Sequence, residues 1–511
     1  MTVKTTAALL GAVLVASTAG AQARPTAQGR TAAATKPASS AQKCSIQSGG
    51  SVQVSAAYDA LSKFNASSSP EEQPKFLMAA VKELSAKADK PEVEVARQWV
   101  LGQALVAWTL VDGKPTAGPR GSYGYTTQPD EQIDILLAAD SAFKVVSQAS
   151  PGCATQIEPM HRMSVVAATN AATAQFNAGN IDSAKALSER LLRLDPESPH
   201  AYHLLGNIEV KQQNYQAAVD HFDKVIAATA TDSSMKEVHD NAMISAAYLL
   251  QNLADADQTE AAKPLAEKAA KYFREYIASH PNDASAQSAL ARTLVAAGDT
   301  VAASSMYSTM IADPSKYSAM DLLNAGVGAA NAGKSADALK LLEAGVAGNP
   351  FFRDGLFVLG QVALQAGDFP KAADAVNRLI AVDPNNPDNF HLRAAIYQEM
   401  LGATKDKKVQ KALTDSMMMS NRQAGTMPVK VTVTDFAQPT DAQRILNGTI
   451  ENLSDKPADY TLKVEFLDAK GNVVATKTET VAAVEAKASK SFSITVDQAG
   501  VVAYRYAPLG S

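Results

Sequence analysis

The stretch "LLRLDPESPHAYHLLGN", residues 191–207, is answered by "LIAVDPNNPDNFHLRAA", residues 379–395. Each places Asp-Pro-x-x-Pro between two runs whose apolar residues recur at helical spacing. The first proline pushes the residue before it out of the helical region. The second suits the first turn of a new helix, where its missing N–H would have no partner anyway. Both stretches therefore read as hinges between consecutive helices.

A ruler laid outward from the first hinge finds Ala184, Ala218, Ala269, Ala303, Ala338 and Ala372, at intervals of 34, 51, 34, 35 and 34 residues. The 188 residues between the hinges are thus five steps of one repeat, with one 17-residue insertion and one extra residue. Four residues after each alanine stand Ser188, Phe222, Phe273, Tyr307, Leu342 and Val376, and twelve after stand Pro196, Ala230, Pro281, Ser315, Pro350 and Pro384. Twelve before are Ala172, Gly206, Ala291, Gly326 and Gly360, with the third repeat distorted. Small residues let two antiparallel helices approach, a large one at the next turn fills the gap, and proline stops the second helix.

This pattern resembles the tetratricopeptide repeat. The resemblance implies a mainly α solenoid of about seven or eight helix pairs over residues 165–425, with residues 402–425 as a polar capping helix. Upstream, Ala139, Phe143, Val146 and Pro151 keep the same offsets. Residues 130–149 are therefore expected to form a second helix and residues 91–110 its first, within a degenerate N-terminal helical region, 44–164. The long loop 111–129 between them is a candidate functional element. Its Tyr123 and Tyr125 read as packing residues, with ligand contact as the alternative.

After Pro428 the apolar period shortens to two, and short alternating runs separated by turn residues predict a small all-β sandwich over 428–511. Its segment "NGTIENLSDKPADYTLKVEFLDAKGNVV", residues 447–474, is similar to FxLYD-type immunoglobulin-like modules of bacterial envelope proteins.

The N-terminus joins one early cation, Lys4, to an apolar run from Ala7 to Ala16 and small-residue sites near Ala21 and Ala23. That order predicts a cleavable signal peptide at 1–23, with no cysteine placed for lipid attachment, then a disordered linker rich in Ala, Thr, Ser and Pro at 24–43. Export favours a disulfide between the two cysteines, Cys44 and Cys153. A periplasmic or secreted protein follows, without a membrane-spanning run. The balance of 47 basic and 52 acidic residues, net −5, contains no block suited to nucleic acid.

No catalytic or ligand-binding motif is complete in the sequence. Gly113-Lys114-Pro115-Thr116 lacks the upstream glycine of a phosphate loop, where Trp108 stands instead. His200 and His203 have helical spacing for a shared metal but no third ligand nearby, and Met417 to Met419 are expected to pack against the sandwich. No nucleophile, zinc or dinucleotide motif occurs, so no enzyme, metal or cofactor is expected.

The repeat resemblance implies a protein-binding scaffold in the cell envelope, holding a protein or peptide partner in a groove lined by first helices. Its inward positions would be Asn177, His200, His203, Asn207, Val210, Lys211, Ser288, Arg292, Asn331, Phe357 and Gln361. Asn207 matches the family's clamp for chaperone tails, yet Thr169 stands where that clamp has lysine, so an internal or structured segment is expected as ligand. The alternative is an envelope glycan or surface component bound by the sandwich, with Tyr460, Tyr504 and Tyr506 as stacking residues and the solenoid as spacer.

Overall fold

The computed structural model describes residues 44, 46, 50–86, 90–257 and 259–509. The expected signal peptide and linker lie outside them. The chain divides between Leu249 and Leu250 into two compact units. Neither of the sequence boundaries, near residues 164 and 428, coincides with that division.

The first unit contains α1 (Val52–Ala66), α2 (Gln73–Glu83), α3 (Pro91–Ala107), strands β1 (Ala117–Pro119) and β2 (Gln132–Asp134), α4 (Ile135–Ala149), α5 (Ala154–Asn177), α6 (Ile181–Leu194), α7 (Pro199–Lys211) and α8 (Tyr215–Thr229); the division itself falls inside α9 (Lys236–Ala256). Cys44 and Cys153 form a disulfide, which ties the chain before α1 to the start of α5. Residues 130–149 are not one helix, because Asp134 ends β2 and caps α4, accepting from the N–H groups of Leu136 and Leu137 at 3.0 and 3.2 Å.

The long loop folds down. β1 pairs antiparallel with β2, Tyr123 and Tyr125 are buried, and the Arg120 guanidinium lies 4.3 Å from the Tyr125 ring centre. Buried Arg190 of α6 grips Asp134 with Nε and Nη2 and donates to Thr116 Oγ1 at 2.9 Å and to its carbonyl at 3.2 Å. The lysine-proline-threonine segment is part of this clamp, since Tyr123 also donates to the Pro115 carbonyl at 3.0 Å.

The second unit holds α10 (Ala262–Ser279), α11 (Ala284–Ala296), α12 (Thr300–Ala312), α13 (Ala319–Asn331), α14 (Ser335–Gly348), α15 (Arg353–Gln365), α16 (Phe369–Val382), α17 (Pro387–Ala403) and α18 (Lys407–Gly425). Six strands follow: β3 (Val429–Thr440), β4 (Gln443–Asn452), β5 (Ala458–Leu467), β6 (Val473–Val484), β7 (Ser489–Asp497) and β8 (Ala503–Tyr506). The eighteen described helices alternate along the chain as nine successive pairs, of which the seven from α5 and α6 to α17 and α18 make up the expected solenoid. The two pairs before them are α1 with α2, which has only 11 residues, and α3 with α4.

The steric logic of the repeat is visible atom by atom. A Cβ placed on Gly206 would lie 2.7 Å from Phe222, on Gly326 2.7 Å from Leu342, and on Gly360 2.7 Å from Val376, always 16 residues downstream. Helix backbones come this close only because the side chain is missing on one side and large on the other. Ser188, at a position where a bulky residue is expected, is buried and satisfies its hydroxyl on the Ala184 carbonyl at 2.8 Å. The methionine run does not pack as expected: Met418 and Met419 are exposed on α18, because successive helical residues point in different directions.

The sandwich sets the sheet β3-β4-β7 against β6-β5-β8, all antiparallel. Leu446, Ile450, Leu462, Val464, Phe466 and Ile494 meet in its core. Fully buried Asn452 donates to the carbonyls of Lys456 and Val484 at 2.7 and 2.9 Å and accepts from Tyr460 at 2.8 Å, which closes the turn between β4 and β5.

This sandwich is bolted to the repeats. Asp383, 1% exposed, accepts from Arg353 Nε at 2.8 Å, Asn386 at 3.1 Å and Asn389 at 3.0 Å, and its other oxygen takes the Tyr506 hydroxyl. Asn385 exchanges two bonds with the Leu509 backbone, at 2.7 and 3.2 Å, and Asn349 donates to the Val502 carbonyl at 3.0 Å. Burial lowers the Arg353 pKa, but the charge and hydrogen bond of Asp383, joined by Tyr504 and Asp354, together outweigh it and hold the guanidinium above its ordinary value. Burial, with Asp383 adding to it, pushes the Tyr506 phenol well up.

Candidate functional site

The expected groove residues fall on first helices of the two units, and each unit presents its own face. In the first unit, α5 and α7 pack side by side, offset by the 34-residue step. Their corresponding positions are Val166, Thr169, Thr173, Phe176 and Asn177 on α5, and His200, His203, Asn207, Val210 and Lys211 on α7. The Lys211 ammonium lies 4.5 Å from the Phe176 ring centre, which places both residues on one surface. Val166, Thr173, Asn177 and Lys211 are exposed there, and Asn207 is half-buried beside them.

The two histidines are held neutral. Burial lowers the His200 pKa against the opposing pull of Asp195, and burial together with His200 pushes His203 down to about 4. His203 packs 5.8 Å from the Phe222 ring, and its Nδ1 lies 3.3 Å from the Asn207 amide nitrogen. Among the described residues no group of three or more His, Cys, Asp or Glu side chains converges for a metal.

In the second unit the corresponding residues are more fully committed within the chain. Ser288 is buried, and its hydroxyl donates to the Asp321 carbonyl at 2.7 Å, joining α11 to α13. It faces a neighbouring helix rather than solvent, which corrects its expected groove position. The reason is the close approach of α13 at Gly328, where an added Cβ would sit 3.4 Å from the Arg292 Cα. Arg292 forms an ion pair with Asp255. Asn331 is exposed, while Phe357 and Gln361 are half-buried.

The stacking residues of the alternative reading are not available. Tyr460, Tyr504 and Tyr506 are 3%, 6% and 3% exposed. Tyr460 is occupied with Asn452 and Tyr506 with Asp383, while Tyr504 packs edge-on against Phe436, ring centres 5.1 Å apart. The sequence signal that could have warned of this is strand parity, since Tyr504 and Tyr506 share one face of β8. Buried Arg190 and half-buried Arg353, by contrast, carry no signal in the sequence, for their partners lie 56 and 30 residues away.

A tetratricopeptide-repeat family model matches residues 169–233 and 323–387. Several solved structures are similar to the chain. YrrB, described as a TPR protein with an unusual peptide-binding site, is 22% identical over 36% of this chain and 84% of its own, with a TM-score of 0.29. PilW, a type IV pilus biogenesis factor, is 16% identical over 45% of this chain and 98% of its own, with a TM-score of 0.30. The C-terminal part of a TPR repeat-containing protein from Cytophaga hutchinsonii is 16% identical over 43% and 80%, with a TM-score of 0.32. No curated protein matches the chain in sequence.

Residues 169–233 and 323–387 thus carry tetratricopeptide repeats, within a mostly helical scaffold followed by small antiparallel sheets. Such a scaffold is suited to protein–protein interaction. No described helix is long and apolar enough to cross a membrane.

Proposed function

We propose that the chain is an exported, non-enzymatic scaffold that binds a protein or peptide partner on the first-helix face of α5 and α7. The observation that carries this reading is the juxtaposition of Phe176, Lys211, Asn177 and Asn207 on one surface. An aromatic floor with amides and one ammonium beside it offers apolar burial together with donors and acceptors for an extended backbone. Thr169 leaves the face one cation short of a clamp for a free carboxylate, which favours an internal or structured segment. The signal-like N-terminus and the Cys44–Cys153 disulfide support a periplasmic or secreted location with envelope association.

On this reading residues 1–23 are removed on export, 24–43 form a linker, 44–164 an N-terminal helical region, 165–425 the repeat array and 428–511 the sandwich. Capture from native envelope extract tests the surface. A variant with Asn177, Asn207 and Lys211 changed together to Ala should lose partner with little change in melting temperature, because Asn177 and Lys211 are exposed, Asn207 is half-buried, and such surface changes cost about 0.5 kcal/mol each. Undiminished capture by the folded variant overturns the assignment. Intact-mass analysis of exported protein should show loss of roughly 21 to 23 residues, and a full-length exported product would overturn the signal reading.

A further inference from the structure

Strand β6 is the outer strand of its sheet, paired with β5 on one side and with no described strand on the other. From Ala475 to Val481 its pairing with β5 runs without a shift of register, and Thr476 to Thr480 are exposed. A regular exposed edge is a template for another strand, and proteins ordinarily blunt such edges with charge or bulges. The charges on β6 do not blunt it against a copy of itself. In "VVATKTETVAA", residues 473–483, Thr476 mirrors Thr480 about Thr478, small apolar residues flank both sides, and Lys477 mirrors the opposite charge of Glu479.

Antiparallel pairing on a two-fold axis through Thr478 sets Lys477 opposite Glu479 of the partner subunit, and Glu479 opposite the partner subunit's Lys477. Thr476 then meets Thr480 of the partner subunit, and Ala475 meets the partner's Val481. Facing residues of an antiparallel ladder lie on the same face and close together, so each opposite-charge pair forms directly. Within the chain, among the described residues, neither Lys477 nor Glu479 has an ion-pair partner.

The other edges lack these features. β3 is broken by register shifts at Val433/Asp435 and Ala437/Thr440, β8 has 4 residues and is bolted to the repeats, and β7 carries no complementary charges about its centre.

We propose that the chain self-associates as a two-fold dimer through β6, joining two three-stranded sheets into one continuous sheet. The contact is isologous, so each half repeats the same pairs and the assembly closes. The inference does not depend on the α5 and α7 face; where that face does bind, one dimer would present it twice, and a repetitive partner would be held with avidity.

Sedimentation velocity of the full exported chain over a range of concentrations tests it, with K477E, E479K and the double exchange K477E/E479K. The wild-type chain should dimerise with rising concentration. Each single reversal sets like charges opposite one another twice and should weaken self-association by about tenfold, while the double exchange should restore it. All three changes are at exposed positions, so unaltered thermal melts show that the fold is kept. A chain that stays monomeric up to its solubility limit, or a dimer indifferent to the single reversals, overturns the proposal.

Discussion

At the hinge of residues 195–199, Asp195 is half-buried beside His200, and the Ser198 hydroxyl is buried without a hydrogen-bond partner. At the hinge of residues 383–387 the same turn holds Asp383 almost fully buried, with Asn386 both capping α17 and donating to that carboxylate. Both turns end one helix and begin the next by the same proline sterics. Only the second has become a socket, because half-buried Arg353 supplies a cation and Tyr506 arrives from the sandwich to complete the carboxylate's bonds. A repeat hinge is therefore a neutral element whose importance depends on what docks over it.

The largest effect should come from the two aspartates themselves. Asp383→Ala takes the common acceptor from the Asn386 amide and the buried Tyr506 hydroxyl and leaves Arg353 only its Asp354 pair, which together should cost about 3–5 kcal/mol, whereas Asp195→Ala, at a turn with no such partner, should stay near 0.5 kcal/mol. Hydrogen exchange in peptides covering 489–509 reads the first change as loss of protection at the docked strands. Equal effects from the two substitutions would erase the distinction between the hinges.

Tyr506→Phe removes one bond to a charged group and keeps the ring, so a loss of about 1.5–3 kcal/mol is expected in the same exchange experiment. No change would mean that packing, and not the carboxylate, holds the sandwich.

A smaller, pH-dependent effect belongs to the first hinge. His203 is held neutral in the folded state, with its pKa pushed down to about 4, while the unfolded chain binds the proton near pH 6.5. The unfolded state takes up protons first, so stability in this unit falls as pH drops from about 6.5 toward 4. Both tryptophans, Trp99 and Trp108, lie in this unit, so their fluorescence reports its unfolding alone. Urea midpoints followed by that signal should depend less on pH in His203→Gln than in the wild type, and parallel curves would reject the assignment.

Much of the architecture is legible because its causes are local. The alanine ruler, the hinge prolines and the glycines facing Phe222, Leu342 and Val376 act within 16 to 35 residues, where helix geometry alone decides which side chains meet. Strand alternation after residue 428 is equally local, and two cysteines permit only one intrachain disulfide. The candidate face was partly legible by the same ruler, which set Asn177, Asn207 and Lys211 at accessible positions but also named Ser288, which α13 covers.

Other features were decided only by tertiary structure. Arg190 meets Asp134 across 56 residues, and Asp383 meets Tyr506 across 123. The aromatics Tyr460, Tyr504 and Tyr506 are buried rather than displayed. No periodicity foretells such pairs, since they depend on which surfaces come together when separate elements dock, and a buried charge is tolerated only where that docking supplies its partner. The order of helices and strands was determined by the sequence through short-range sterics; which of two like hinges became the socket was determined by long-range contact, where desolvation makes an unpaired carboxylate costly and a paired one secure.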